Sequence, residues 1–286
     1  MKLSIKNKLS SLPPAGPSIQ TWTRPEGSVW ADCYRTPHGY RLRYPAFAEF
    51  EIDRDNQQIV CSPLDGVGED TIQHLYTNHV RPLAMGLFGR PMFHGSAVEV
   101  DGYAVMFVGV SGMGKSTLAL SFATNGFPFL SDDGLLFETD GPSLELQPSA
   151  PAIRVWHDVL DTMTPSGSAD ASSVGEINEK YSLPASSQIT YCDTPKPVAC
   201  VYFLQDNHMQ TTSISPLSSA DSAVNWLKNS FLIDPTDQDL ISRQFSLISD
   251  LAARMPAYSL DYPRDFAQLP GVRQSILRHC STEPAL

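Results

Sequence analysis

From Gly39 to Pro63 apolar and polar residues alternate along "GYRLRYPAFAEFEIDRDNQQIVCSP", the period-two pattern of strands that bury one face. The alternation breaks at "DRDN", a hairpin signal. Together with the residues from Val29 onward, this predicts a small antiparallel sheet. The period then changes. Ile72, Leu75, Tyr76, His79, Leu83 and Leu87 recur near helical spacing, with acidic residues at the start, Gly86 or Gly89 near the end and Pro82 inside. A helix kinked or broken at the proline is expected.

After Arg90 the pattern reads strand, loop, helix, strand. "GSAVEV" and "YAVMFVGV" flank an Asp-Gly turn, "KSTLALSFATNG" reads as an amphipathic helix closed by Gly126, and "FPFLSDD" is a short apolar strand. "GLLFE" and "LELQP" predict a hairpin, and "PVACVYFL" a strand. "SSADSAVNWLKNSF", "TDQDLISRQFSLISDLAARM" and "VRQSILRHC" predict helices, with "YSLDYP" a strand before the last. The stretch Thr164 to Asn178 is polar, rich in small residues and aperiodic. Residues 1–27, rich in Ser, Pro, Gly and Lys without a period, are expected as a flexible tail. The expected organisation is this tail, a β-rich segment with one helix over 28–89, and an α/β domain over 90–286.

With 42% apolar residues in 286, the chain can bury a substantial core. Twenty basic against thirty-one acidic side chains give a net charge of −11, which repels a nucleic-acid backbone unless a basic stripe intervenes. No such stripe is visible. Arg41 and Arg43, the close pair near a strand signal, read as a solvated strand face. No apolar run reaches the length of a membrane span, and the lysine-bearing start lacks the apolar stretch of a signal peptide, so a cytoplasmic protein without a membrane partner is expected. Cys33, Cys61, Cys192, Cys200 and Cys280 are scattered without CxxC spacing and read as reduced thiols.

Gly109, Gly114, Lys115 and Ser116 fit G-x-x-x-x-G-K-[ST], placed between an apolar strand and a helix as that motif requires. Such a loop turns successive backbone N–H groups toward phosphate oxygens, and the helix N-terminus adds positive potential. The expected phosphate contacts are Gly109, Ser111, Gly112, Met113, Gly114, Lys115, Ser116 and Thr117. Lys115 would reach the β and γ phosphates, and Ser116 would hold Mg²⁺. The chain lacks the Asn-Lys-x-Asp base-reading motif of GTPases. Asp132 and Asp133 close the next strand, which brings both carboxylates beside the γ phosphate, one to hold Mg²⁺ and the other to accept a proton from an attacking hydroxyl. His94 starts the preceding hairpin; taken alone, it is more often a structural hydrogen-bonder than a catalyst.

"FHGSAVEV", "GVSGMGKS" and "FPFLSDD" together resemble the catalytic domain of HPr kinase/phosphorylase, a bacterial P-loop enzyme that phosphorylates a protein seryl hydroxyl. The resemblance implies an α/β P-loop kinase core with a mixed sheet flanked by helices. It implies His94 as an acid/base or orienting partner, Lys115 and Ser116 in the phosphate and Mg²⁺ site, and Asp132 as proton acceptor, with Asp133 assisting the metal or the base. Where the family has Glu-Ile-Arg-Gly, this chain has "APAIRVWHD", with Ala152 at the glutamate and Val155 at the glycine. "PAIRVW", "EKYSLP" and "YSLDYPRDFAQLP" are similar to shorter HPr-kinase-like proteins encoded beside ribosomal peptide clusters, lasso-peptide kinases among them. By that resemblance the chain is an ATP- and Mg²⁺-dependent serine kinase of a precursor peptide. Arg154 and Lys180 are then contacts for phosphate or a peptide carboxylate, or else surface salt-bridge partners. Alternative acceptors are HPr itself or a small hydroxyl metabolite. An alternative of another class is a nucleotide-gated peptide binder without catalysis. A homo-oligomer is compatible with the resemblance, since HPr kinases form rings.

Overall fold

The structure is a computed structural model and describes residues 3–6, 8–12, 16–138, 143–163, 172–173, 180–206 and 209–282. The chain divides into two units, Met1–Pro91 with Phe231–Arg243, and Met92–Ser230 with Gln244–Leu286.

The first unit holds a six-stranded sheet built from β1 (Leu3–Ile5), β2 (Gln20–Thr23), β3 (Val29–Thr36), β4 (Gly39–Tyr44), β5 (Ala48–Asp53) and β6 (Gln58–Pro63). Its order is β1-β6-β5-β4-β3-β2, antiparallel except for the β1–β6 pair. Two pieces of the expected tail are therefore strands. They extend the predicted meander at its two ends, where each covers an otherwise open row of backbone groups. Alternation buries Leu42, Tyr44, Phe50, Ile52 and Ile59 on the core face. Arg41 and Arg43 do not form a solvated face. Register places Arg43 opposite Glu49 and Arg41 opposite Glu51. The buried Glu49 carboxylate lies 2.6 Å from the Arg43 guanidinium and 3.3 Å from that of Arg41, so the charges are paired and largely shielded.

The expected helix is present as α1 (Glu69–Leu75) and α2 (Arg81–Leu87), joined without a break by a π turn over Tyr76–Val80. Ile72, Leu75, Tyr76 and Leu87 are buried as the period predicts, but from the end of the π turn Val80, Ala84 and Met85 are buried where His79 and Leu83 were expected. A π turn accommodates one extra residue, which advances the inward face by one position. Pro82 causes no break because it sits in the first turn of α2, directly after the π turn, where the hydrogen-bond ladder has already shifted.

The rest of the chain forms β7 (Met92–Phe93), β8 (Gly95–Val100), β9 (Tyr103–Val108), α3 (Lys115–Ala123), β10 (Phe129–Ser131), β11 (Leu135–Glu138), β12 (Glu145–Leu146), β13 (Ala152–Val155), α4 (His157–Met163), β14 (Ser172–Ser173), β15 (Tyr181–Pro184), β16 (Lys196–Leu204), β17 (Ser213–Pro216), α5 (Ser219–Lys228), α6 (Gln238–Arg254), β18 (Ala257–Asp261) and α7 (Leu269–Thr282). The unit division falls within α6. Most of the polar stretch Thr164 to Asn178 lies outside the described residues; Ser172–Ser173 pair with β15. The predicted hairpin of β11 and β12 is antiparallel as expected, and its turn lies outside the described residues.

The second unit's main sheet is mixed and curled. β10, β8, β9 and β16 are consecutive neighbours, and β18 pairs with the far side of β16. β8 is antiparallel to both β9 and β10, whereas β9, β16 and β18 run parallel. It follows that β10 points the same way as β9 although β8 lies between them. The ends of β9 and β10 therefore reach one sheet edge. The β8–β9 turn uses Asp101 and Gly102, both at positive φ, as a tight hairpin requires. β9 is apolar throughout because both of its faces are covered. Val105 and Phe107 join Phe122, Phe129, Tyr202 and Leu260 on one face; Ala104, Met106 and Val108 join Phe93, Phe203, Trp226 and Ile248 on the other. The helix expected to be amphipathic, α3, is instead buried from Leu118 through Ala123, since α7 and β13 pack against it as well as the sheet. All five cysteines are free thiols. Among the described residues, no helix is long and apolar enough to cross a membrane.

Candidate active site

The glycine-rich loop leaves β9 at Val108 and opens α3 at Lys115. Gly112 and Gly114 adopt φ of 85° and 82°, angles that L side chains rarely take. At Gly114 space forbids a side chain too, because a Cβ would stand 2.5 Å from the Tyr262 hydroxyl. The loop is held from outside by Arg264. Its Nη1 donates to the Met113 carbonyl at 2.7 Å, its Nη2 donates to the Gln205 carbonyl, and its guanidinium stacks 4.0 Å from the Tyr262 ring centre. In a trans peptide the C=O and the following N–H point in opposite directions, so this anchor leaves the Gly114 N–H facing away from Arg264. Lys115 is buried, and its ammonium donates to the Val110 carbonyl at 2.9 Å, folded back over its own loop. Burial lowers its pKa, opposed by nearby Asp133.

Asp132 and Asp133 follow β10 and meet different surroundings. Asp132 is buried, and its Oδ1 accepts from the Ser96 hydroxyl at 2.5 Å and from the Ser116 hydroxyl at 2.9 Å. Its Oδ2 accepts the Arg154 backbone N–H at 2.8 Å. Burial, reinforced by the neighbouring Asp133 charge, pushes its pKa up to about 6 against the pull of these hydrogen bonds. Asp133 has φ of 60°, a left-handed conformation that aspartate tolerates better than most residues. Its carboxylate meets the Arg154 Nη1 at 2.9 Å and the Lys180 ammonium at 3.6 Å. Burial alone would raise its pKa, but Lys180, Arg154, His94 and Lys115 outweigh that and hold it below the ordinary carboxylate value.

Arg154 lies in β13, and Lys180 directly precedes β15, the partner strand of β13. Neither is a surface salt-bridge partner, since their side chains are 12% and 16% exposed. Arg154 also keeps two buried donors, Nε and Nη2, with no hydrogen-bond partner. Buried guanidinium N–H groups without acceptors are costly, and an anion beside them would remove that cost. His94 links β7 to β8, and its backbone N–H donates to the Asn229 carbonyl at 2.7 Å. Solvent reaches the residue, yet packing around it and the Lys115 cation lower its pKa, with Asp133 opposing. At neutral pH its imidazole is uncharged.

The structure thus brings together Lys115, Ser116, Asp132, Asp133, Arg154 and Lys180, with His94 within electrostatic reach. Ser96 is an addition to the set expected from sequence. It stands two residues after His94 at the start of a strand, the spacing that puts two side chains on one face. Tyr262 and Arg264 are further additions; they lie in the stretch "YSLDYPRDFAQLP", whose resemblance assigns neither of them a role. Ala152 leaves no carboxylate at the start of β13, and among the described residues no group of three or more His, Cys, Asp or Glu could hold a metal ion. Two hard oxygen donors, Ser116 Oγ and Asp132 Oδ1, are nevertheless adjacent. That sparse set fits Mg²⁺, which commonly takes one or two protein ligands and completes its shell with water and phosphate.

No family model matches the chain. It is similar to the HPr kinase/phosphorylase of Chlorobium phaeovibrioides, 39% identical over 57 residues, which is 20% of this chain and 17% of that protein. It is also similar to the enzyme of the same name from Prosthecochloris aestuarii, 40% identical over 52 residues, 18% of this chain and 15% of that protein. The similarity spans less than a fifth of the length of these curated relatives. Among solved structures, that of the Hpr(Ser) kinase/phosphatase from Coxiella burnetii aligns with a TM-score of 0.34 at 11% identity, covering 66% of this chain and 88% of that one.

Proposed function

We propose that this chain is an ATP- and Mg²⁺-dependent serine kinase that transfers the γ-phosphoryl group to a seryl hydroxyl of a peptide. The observation that carries the reading is the junction of the phosphate loop with the acidic pair: Ser116 of the loop bonds Asp132 at 2.9 Å, and Asp133 stands next to it among Lys115, Arg154 and Lys180. The distant similarity to HPr kinase/phosphorylases supports the same chemistry.

In this reading the backbone from Gly109 to Thr117 binds the phosphates. Lys115 exchanges the Val110 carbonyl for phosphate oxygens, and Arg154 directs its unpaired N–H groups to the γ-phosphoryl group. Ser116 and Asp132 would hold Mg²⁺, which when bound neutralises charge on the phosphates. The geometry favours an exchange of the two aspartate roles expected from sequence. Asp132 faces the loop serine through Oδ1, whereas Asp133, paired with Arg154 through Oδ2 and with Lys180 through Oδ1, faces the cations that would surround the γ phosphate. Asp133 then accepts the seryl proton as the hydroxyl oxygen bonds to phosphorus, the bond from phosphorus to the bridging oxygen breaks, and ADP leaves with that electron pair. Neutral His94 orients the hydroxyl. A lasso-peptide precursor is the proposed acceptor class. HPr, a small hydroxyl compound, or peptide binding without transfer are the competing outcomes.

The test is transfer of labelled phosphate from ATP to seryl peptides, HPr and free serine side by side. Asp133→Asn is expected to lower peptide phosphorylation by about a hundredfold or more while ATP binding persists. Unchanged transfer by that variant would remove Asp133 as the base. Tight ATP binding with no phosphorylated product from any acceptor would instead favour the nucleotide-gated binder.

A further inference from the structure

A cavity of about 170 Å³ lies at the start of β9, the end of that strand opposite to the phosphate loop. Cys200 of β16 and Cys280 of α7 both line it, with Tyr258 and His279 beside them. Asp101, exposed in the turn between β8 and β9, lines it too, so the cavity reaches solvent. None of these residues belongs to the site described above. We infer that Cys200 and Cys280 are a redox pair, a modification site at which a peroxide entering this cavity converts the two thiols to a disulfide between β16 and α7.

The pairing starts from strand geometry. Cys200 and Tyr202 are two residues apart in β16, so their side chains share one face, and both are buried in the core cluster on that face. Tyr202 meets α7 there. Its hydroxyl lies 2.8 Å from His279 Nδ1 and 3.4 Å from Cys280 Sγ. The Cys200 and Cys280 thiols are hydrogen-bonded to each other. A disulfide has an S–S length of about 2 Å, so its formation asks the sulfurs to close by roughly 1–2 Å. Cys280 stands in the last turn of α7, whose final carbonyls have no intrahelical partner, and such a turn yields more readily than a helix interior.

Of the two sulfurs, Cys280 is the attacking one. It is the more exposed. The hydrogen bond with Cys200, and after it that with Tyr202, lower its pKa to about 7, against burial, the Asp101 charge and the carbonyl end of α7. The Cys280 thiolate sulfur bonds to one peroxide oxygen, the O–O bond breaks, and the departing hydroxide takes up the proton the thiol had released, which gives a sulfenic acid and water. Cys200 then gives up its proton and bonds to the Cys280 sulfur; the S–O bond breaks, and the hydroxyl leaves with that proton as a second water. Each sulfur is oxidised by one electron, and the peroxide is reduced by two. Cys33 and Cys61 offer the contrast. Burial pushes both up to about 12, and across their strands they meet Leu42 and Phe50 rather than a second thiol.

Hydrogen peroxide added to the reduced full chain, followed by maleimide blocking and peptide mass mapping, tests this. A slight molar excess is expected to leave three of the five cysteines as thiols and to yield one cross-linked pair, Cys200 with Cys280, two hydrogens lighter than the separate peptides and opened by dithiothreitol. In Cys200→Ser the oxidation should stop at the Cys280 sulfenic acid, captured by dimedone, and in Cys280→Ser the Cys200 thiol should survive. Iodoacetamide at neutral pH should alkylate Cys280 at least about tenfold faster than Cys33 or Cys61 in the folded chain. Wild-type protein that keeps all five thiols under peroxide, links any other two cysteines, or carries Cys280 to the sulfinic acid without a link to Cys200 would overturn the pair. So would equal alkylation of all the thiols. The wild-type measurements decide the matter even if a serine variant fails to fold.

Discussion

Asp132 and Asp133 are adjacent in sequence, yet one is raised in pKa and the other lowered, and this difference makes their roles separable. If Asp133 is the base, it remains ionised throughout the neutral range. At saturating Mg²⁺, which keeps its holder Asp132 ionised, the rate of peptide phosphorylation at low substrate should then stay flat from pH 8 to pH 6. If Asp132, near 6, is the base, the rate should begin to fall near pH 6 and approach a tenfold loss per unit below it. Asp132 also carries a stability signature. Its folded pKa lies above the unfolded value, so the folded state holds a proton that the unfolded chain has released, and stability declines as pH rises from about 4 through 6. Asp132→Asn should flatten that decline in thermal unfolding. It should also cost about 1–3 kcal/mol, because the introduced amide N–H₂ would face either the Arg154 N–H or the two serine hydroxyls. At this scale much of the site was legible from sequence. Lys115, Ser116, His94 and the aspartates fall within one short span whose spacing carries the chemistry. Tyr262 and Arg264 were not legible, since their contacts with the loop exist only after the chain returns to it.

The strands and helices of the alternating and periodic segments match expectation, and the departures have local causes. "LSI" and "QTWT" are too short to show a period, so β1 and β2 pass for tail until β6 and β3 offer them partners. The π turn leaves no compositional mark, and its effect is visible only as the shift of the buried positions to Val80 and Ala84. A π turn of this kind behaves as a one-residue insertion into an α-helix. Removal of Thr77 should therefore restore a continuous α-helix with Ile72, Tyr76 and the residues now numbered 80 and 84 on one face. Thermal unfolding of that variant should fall by only a few degrees, equivalent to less than about 2 kcal/mol. A loss of the folded transition would show that the π geometry itself is required.

Within the second unit, the site draws on segments far apart in sequence. The phosphate loop lies near the unit's start, and the arginine that fixes its peptide comes after β18. Arg264→Ala should leave the fold intact, because the residue is exposed and stands outside the core, but should weaken triphosphate binding by about tenfold in equilibrium dialysis through loss of the Met113 anchor. The insertion of β8 between β10 and β9 has a kinetic consequence. The β8–β9 hairpin closes through a tight turn and can form early, as local pairs do. The other edge of β9 must wait for β16, where Val105 meets Cys200, and β16 in turn waits for β18. A nascent chain that has emerged only through α3 already carries the whole glycine-rich motif but lacks the partner strands and the Arg264 anchor that shape it. Acquisition of triphosphate affinity during refolding should therefore mark the last tertiary pairing of the unit rather than the first.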